Sequence, residues 1–454
     1  MSANKDQKKK TPKPMNRRHF IKTGTTISTG MIFAPMIINR AKANDSNDLN
    51  IALIGTGAQG QVLMNATLKI PNIRFKAVCD IWTEYNQKRA YRLLKKYGHN
   101  LNAYENYQDM LSKEKELDAV IIATPDFWHA PQAEGCLEAG LHIYCEKEMS
   151  NTLEGAKRIY RAAQRTGKLV QIGHQRRSNP RYLYCYNKLL KEAHILGRIT
   201  TIGGQWNRAV QPDLGWPEKY AIPQKTLKRY GFDSMGQYRN WRWYKGLGGG
   251  PIVDLGSHQI DIYNWYLGTN PRSVMASGGT DYYDIKTHQW YDTVLATYEY
   301  NTADGMVRAF YQTITTNSNQ GYFENFMGDQ GTLQISESGS RGGVYREQSA
   351  PVWDKWVDLG YLDAPMEDVQ KPKAGIVLDV RETIAPPKYE IPVVFNDPYH
   401  KPHLENFFNA IRGKEKLNCP VEIGYETAVT VLKVNEAVQA GRRITFKKSD
   451  FGLS

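Results

Sequence analysis

The residues from Leu49 to Asp80 constrain this chain more than any other stretch. A short apolar run, Ile51 to Ile54, ends in Gly55-Thr56-Gly57-Ala58-Gln59-Gly60. A helical pattern follows, and then a second apolar run, Phe75 to Val78, that stops at Asp80. Strand, glycine turn, helix and strand in this order read as a βαβ unit, the crossover that parallel strands require. Gly55 allows the tight turn, Gly57 lets backbone approach a pyrophosphate, and Gly60 lets the helix lie close on the strand. The helix N-terminus offers free N–H groups and the positive end of its dipole to phosphates. Asp80, 20 residues after Gly60, stands where a carboxylate accepts the ribose hydroxyls of NAD. The loop from Gly55 through Thr56, Gly57, Ala58 and Gln59 to Gly60, together with Asp80, is the expected NAD cradle.

The pattern after this unit sets the fold class. As far as Gly173 the sequence alternates strand-like and helix-like runs, as a doubly wound parallel sheet requires. Asp118 to Ala123, His142 to Cys145 and Leu169 to Ile172 read as strands. Ala130 to Ala139 and Leu153 to Arg165 read as helices, ended by Gly140 and Gly167. Past Gly173 the rhythm changes to long strand-like runs: Ile199 to Trp206, Val294 to Tyr300, Met306 to Thr315 and Thr332 to Ile335. One strong helix, Pro251 to Leu267, interrupts them, and helical patterns at His403 to Ile411 and Tyr425 to Ala440 close the chain. The expectation is an α/β protein: a Rossmann domain at 48–173, then an α/β domain at 174–454 with a large, mostly antiparallel open sheet. Ala209 to Leu247 and Glu337 to Pro402 read as additions, since loops this long are usually lids, arms or interface elements.

Charge is informative once it is located. The net charge is +13, but residues 1–43 hold seven Lys and three Arg against Asp6 alone and so contribute +9. The remaining +4 shows no phosphate-tracking stripe, which excludes nucleic acid as a partner. Asn16-Arg17-Arg18-His19-Phe20-Ile21-Lys22 resembles a twin-arginine export motif, followed by a modestly apolar segment to about Ile38 and a small-residue cleavage site at Ala41-Lys42-Ala43. Residues 1–43 are accordingly expected to be a signal peptide for export of the folded protein to the periplasm, with no lasting membrane span. The five cysteines have no metal spacing and read as small core residues rather than as a disulfide framework. No metal is expected.

Three further constellations follow predicted strands or sit on the strong helix, where ligands of open α/β sheets bind. Thr124, Pro125 and His129 follow the fourth strand, and Glu146-Lys147 follows the strand HIYC. In Gly248-Gly249-Gly250-Pro251-Ile252-Val253-Asp254-Leu255-Gly256-Ser257-His258, Asp254 and His258 are four apart and share a helical face. From about Asn50 to Phe446 the chain resembles the glucose–fructose oxidoreductase / inositol dehydrogenase / rhizopine-catabolism family of sugar oxidoreductases. The resemblance rests on the glycine fingerprint, ATPDFWH, CEKE, GHQRR, GGGPIVDLGSHQID and GDQGTL. It implies a catalytic group formed by the Lys of an EKP motif and the Asp and His of a DxxxH helix, here Lys147, Asp254 and His258. Thr124, Pro125, His129, Glu146 and Lys147, by their places after strands, are expected to border the cofactor.

The chemistry agrees with that assignment. Oxidising a secondary alcohol needs a base for the hydroxyl proton, which His258 supplies, and a cation beside the oxygen, which Lys147 supplies. Asp254, one turn from His258, is expected to orient the imidazole or stabilise its charged form. One position departs from the family: the Pro after the lysine is Glu148 here. Either the preceding peptide bond stays cis or it relaxes to trans and moves Lys147. His174 and Arg176 follow the last strand of the first domain and either border the substrate pocket or pack between domains. Trp206-Asn207-Arg208 ends a strand and is placed to meet a sugar. Trp216, Tyr220, Trp241, Trp243 and Tyr244 serve as core or as stacking surfaces for a pyranose. Lys147, His174, Arg176, Trp206, Asn207, Asp254 and His258 are the expected substrate-binding set. The expected activity is NAD-dependent oxidation of a ring hydroxyl of a sugar or glycoside to a ketone, in a homo-oligomer. The alternatives are a glycoside-cleaving enzyme that oxidises, eliminates and re-reduces with the same NAD, and a non-catalytic sugar-binding protein.

Overall fold

The computed structural model describes residues 48–339, 341–365 and 386–452. The export signal expected at 1–43 lies outside the described residues, as does part of the second long addition. The first sheet has six strands: β1 (Leu49–Ile54), β2 (Ile73–Cys79), β3 (Asn102–Tyr104), β4 (Ala119–Ile122), β5 (His142–Cys145) and β6 (Val170–Ile172). Their order is β3-β2-β1-β4-β5-β6, and every neighbouring pair is parallel. Helices cover both faces, so the central strands are apolar along their length. Ile51 to Ile54 and Ala119 to Ile122 are buried at every position.

The second sheet holds nine strands. They are β7 (Ile199–Asn207), β8 (Ser273–Gly279), β9 (Thr293–Thr302), β10 (Gly305–Ile314), β11 (Tyr322–Gly328), β12 (Gly331–Ile335), β13 (Gly343–Arg346), β14 (Lys388–Tyr389) and β15 (Ile444–Thr445). The order is β14-β13-β12-β11-β7-β10-β9-β8-β15, antiparallel except for β7 against β10. The side chains alternate with period two. Val307, Ala309 and Tyr311 of β10 are buried while Arg308 and Phe310 face out. The helices Pro251–Leu267 and Val421–Ala440 cover the inner face in one continuous core with it. The Tyr300 hydroxyl donates to Asn264 Oδ1 at 2.9 Å, tying β9 to the first of them.

Element boundaries mostly follow the sequence pattern, with one instructive difference. The helix expected from Ala130 starts four residues earlier, at Asp126, and runs to Glu138. Pro131 lies inside its second turn rather than at its start. The backbone bond lost there is the one to the Phe127 carbonyl, and the helix tolerates it. The helix Lys401–Ile411 belongs to the second half of the sequence but packs on the first sheet. Leu404, Phe407 and Phe408 share a core with Ile51, Leu53 and Ile121. The cut at residue 173 therefore separates the sheets but not two independent cores. All five cysteines are buried and unbridged.

Candidate active site

The chain segments after β1, β4 and β5 converge with the start of the helix Pro251–Leu267 on one cavity of about 960 Å³. The glycine fingerprint forms one wall. Gly55 has φ +87°, and a Cβ there would lie 2.5 Å from the Ala123 carbonyl oxygen. A Cβ on Gly60 would lie 1.9 Å from the Gly55 oxygen, so neither site admits a side chain. Gly57 caps the helix Ala58–Thr67, whose first turn carries no side-chain cap and no acid. Those N–H groups are left for an anion, and the residues present fit a pyrophosphate there.

Asp80 closes the far end of that wall. Its Oδ2 accepts the Thr56 N–H at 2.7 Å and the Thr56 hydroxyl at 2.9 Å, and its Oδ1 accepts the Trp82 N–H at 2.7 Å. Burial pushes its pKa up and these three donors oppose the shift. They aim the carboxylate and leave Oδ1 with acceptor capacity for a ribose hydroxyl. Gly55, Gly57, Ala58, Gln59, Asp80, Thr124, Pro125, Glu146 and Lys147 all line the cavity. Three expected cofactor contacts do not line it: Gly60, which instead packs against the Gly55 carbonyl, Thr56 and His129. Thr56 is wholly buried and acts on Asp80 instead. His129 is wedged between two carbonyl oxygens, Thr124 O and Glu148 O, each 2.8 Å from a ring nitrogen. It ties the loop after β4 to the loop after β5, and burial lowers its pKa to about 4.

Lys147, Asp254 and His258 meet at the other end, but their partners differ from the expected ones. Lys147 Nζ donates to Asp254 Oδ1 at 3.0 Å and to the Asp254 backbone oxygen at 2.5 Å. Arg242 Nε, from the first long addition, approaches the same Oδ1 at 3.2 Å. Burial raises the Asp254 pKa, but Lys147, Arg242 and Arg208 more than reverse this and hold the carboxyl well below its usual range. Asp254 therefore holds two cations and does not orient the imidazole. Among the described residues His258 Nδ1 has no hydrogen-bond partner, and the ring lies 5.5 Å from the Trp206 ring. Burial, then the charge of Lys147 and Arg176, keep His258 neutral by pulling its pKa far down. The bond between Lys147 and Glu148 is cis, the first of the two alternatives. Glu148 is buried, with Oε1 accepting the Met149 N–H at 2.8 Å.

Of the expected substrate residues, Trp206 lines the cavity beside His258, while His174, Arg176 and Asn207 do not. Arg176 is buried in an ion-pair cluster with Glu324 and Glu337, which packs the first domain's end against β11. His174 is buried and kept neutral, its pKa lowered to about 4 by desolvation. Asn207 donates to the Asn319 carbonyl at 3.0 Å and accepts from Gln312 at 3.1 Å, bracing strand ends. Trp241 and Trp243 reach the cavity, whereas Trp216, Tyr220 and Tyr244 do not line its substrate end. Trp216 and Tyr244 pack against the small core that the addition builds around Trp82.

Sequence reasoning missed Arg242, Asp126, Gln175 and His400, all of which line the cavity. Asp126 opens its helix in contact range of the same charge cluster, and burial pushes its pKa to about 7. His400 Nε2 lies 3.0 Å from Gln59 Nε2, bringing the second long addition onto the glycine loop. Asp126 and Gln175 sit inside the quoted ATPDFWH and GHQRR motifs beside the residues singled out there, whereas Arg242 and His400 are brought in by the long additions and carry no local signal.

Comparison with known proteins agrees with this fold. The family model described as "Oxidoreductase family, NAD-binding Rossmann fold" matches residues 49–174, and "Oxidoreductase family, C-terminal alpha/beta domain" matches 192–446. The site and fold define an NAD-binding oxidoreductase. The chain belongs to the glucose–fructose oxidoreductase / inositol dehydrogenase / rhizopine-catabolism family, and NAD is its cofactor. An inositol 2-dehydrogenase of Rubrobacter xylanophilus is 24% identical over 64% of this chain and 72% of its own length. An inositol 2-dehydrogenase/D-chiro-inositol 3-dehydrogenase of Shouchella clausii is 32% identical over 48% of this chain and 53% of its own length. A levoglucosan dehydrogenase solved in complex with NADH superposes with a TM-score of 0.63 at 17% identity, covering 88% of this chain and 99% of that one.

Proposed function

We propose that this protein oxidises a ring hydroxyl of a sugar or glycoside to a ketone, and catalyses the reverse, with NAD held in the cavity. The observation that carries the reading is spatial: Lys147, Asp254 and His258 stand in the same cavity as the glycine cradle and Asp80. When bound, NAD supplies the acceptor for the hydride that leaves the oxidised carbon. His258 is neutral and takes the hydroxyl proton at Nε2, the ring nitrogen not sealed in the interior. Lys147, fixed by Asp254, sets a cation beside the substrate oxygen as charge builds there. Asp254 and Arg242 position that lysine. Trp206 and Trp241 offer flat apolar surface to a sugar ring, and Trp82 with its surrounding cluster shields the cofactor end from water.

Incubating the protein with NAD and an aryl glycoside tests the reading. A keto-glycoside supports it, a free phenol points to the cleaving alternative, and no product together with no bound NAD reduction overturns it. The twin-arginine motif at Arg17-Arg18 supports export to the periplasm, where free nicotinamide cannot exchange. NAD is then loaded before export, retained, and recycled in place by a second, keto-bearing substrate with ping-pong kinetics. Both long additions reach the cavity wall through their described residues, which supports retention. Met275, Leu295 and Phe310 lie half exposed on the outer sheet face and support a homo-oligomer joined there.

A further inference from the structure

Four cationic side chains other than histidine border the cavity: Lys147, Arg208, Arg239 and Arg242. Lys147 and Arg242 both contact Asp254. Arg239 stands at the cofactor end, donating to the Gly215 carbonyl at 3.0 Å with its guanidinium over Trp82. Like Arg239, Arg208 has no carboxylate within ion-pair distance among the described residues, and unlike the other three its side chain has no hydrogen-bond partner among them either, although it is only partly exposed. It is also held in place. Its backbone N–H donates to the Ile314 carbonyl at 2.7 Å at the end of β7, and its guanidinium lies 5.2 Å from the Trp206 ring centroid. Trp206 in turn lies 5.5 Å from the His258 ring. The guanidinium and the proposed base thus both border the Trp206 ring, which also stacks on Tyr322 at 4.5 Å. Glu337 faces Arg176 and Gln175, and Asp213 lies 3.8 Å from His288 at the rim, so neither pairs with it.

We infer that the substrate is an anionic sugar, one whose ring carries a carboxylate, and that Arg208 holds this carboxylate while Trp206 supports the ring. The inference rests on the proposed sugar-oxidising reading and sharpens its substrate class. A guanidinium meets a carboxylate with two parallel N–H···O bonds, a fit that an ammonium or a neutral donor does not reproduce. Charge-assisted hydrogen bonds of this kind give roughly ten- to hundredfold in affinity. Arg208 also contributes to holding Asp254 ionised.

The test uses NAD-loaded full-length protein and methyl glycosides of gluco, galacto and manno configuration, each as the neutral hexoside and as the matching uronide. Calorimetric titration gives the affinity of every compound, and absorbance of bound reduced nicotinamide gives turnover. At least one uronide should bind about tenfold or more tighter than its hexoside. Arg208→Gln should bring that ratio close to one, and Arg208→Lys should keep part of it. Hexosides binding as well as uronides in all three pairs, no binding by any uronide, or a preference unchanged in Arg208→Gln would each overturn the assignment. Turnover separates the two readings. Oxidised hexosides with no uronide preference refute the anion site alone, whereas tight uronide binding without any oxidation refutes the oxidoreductase reading and leaves Arg208 as the anion site.

Discussion

Replacing Asp254 with Asn keeps shape and removes one charge, which makes it the sharpest probe of how this site is built. The carboxylate holds Lys147 at 3.0 Å and Arg242 at 3.2 Å, and the Lys147 and Asp254 side chains are only 11% and 16% exposed. Removing one partner of a buried pair costs about 3–5 kcal/mol, because the other charge stays behind unpaired. Arg242 is 45% exposed and can turn to water, so its share is small and the total falls to roughly 2–4 kcal/mol. At about 2–4 °C per kcal/mol for a large domain, melting should drop by roughly 4–16 °C. Turnover should fall further than stability. A lysine freed by about 1 Å loses on the order of a hundredfold in rate. NAD affinity should hardly change, since the cradle lies on other loops. Calorimetric melting, NAD titration and single-turnover reduction of bound NAD measure the three effects separately. If Asp254→Asn melted within about 1 °C of the native protein and turned over within threefold of it, the charge cluster would not be what positions Lys147.

Three further outcomes follow from the same geometry. His258→Ala and Lys147→Ala should each lower turnover by at least about a hundredfold with NAD binding nearly intact, and near-normal turnover of His258→Ala at saturating substrate would refute its role as base. NAD should bind more tightly than NADP, because Asp80 would repel a 2′-phosphate. Arg239 lines the same cavity near Trp82, so equal affinities in a calorimetric titration would show that it compensates. The pH profile should reflect the depressed pKa of His258: protonation disables the base, and burial with Lys147 and Arg176 nearby delays protonation as pH falls. The acid limb of kcat/KM should therefore lie below the ordinary histidine value near 6.5, and a limb at or above it would contradict the burial argument.

The sequence by itself determined the local features of this protein. Strand, glycine turn, helix and acid lie within 32 contiguous residues, from Leu49 to Asp80, and their spacing is dictated by backbone geometry that neighbours cannot alter. The helix Pro251–Leu267 was equally legible, because Gly250 and Pro251 mark its start and Gly268 its end within the chain itself. Asp254 and His258 share a helical face for the same local reason. What the two residues touch was decided only by tertiary structure. Four-residue spacing suggested that the carboxylate would orient the imidazole, yet packing brings Lys147 from 107 residues upstream and Arg242 from the addition to that carboxylate. A buried anion is stabilised by the cations that folding brings nearest, and a full charge outweighs a neutral ring as partner. His129, His174 and Arg176 followed strands as cofactor and substrate residues do, but hydrogen bonds hold His129 and ion pairs hold Arg176 in the interior, and His174 is buried with neither ring nitrogen hydrogen-bonded among the described residues. Arg208 shows the converse: its place at a strand end was readable, but its lack of a carboxylate partner emerged only when β7 met the helix and both additions.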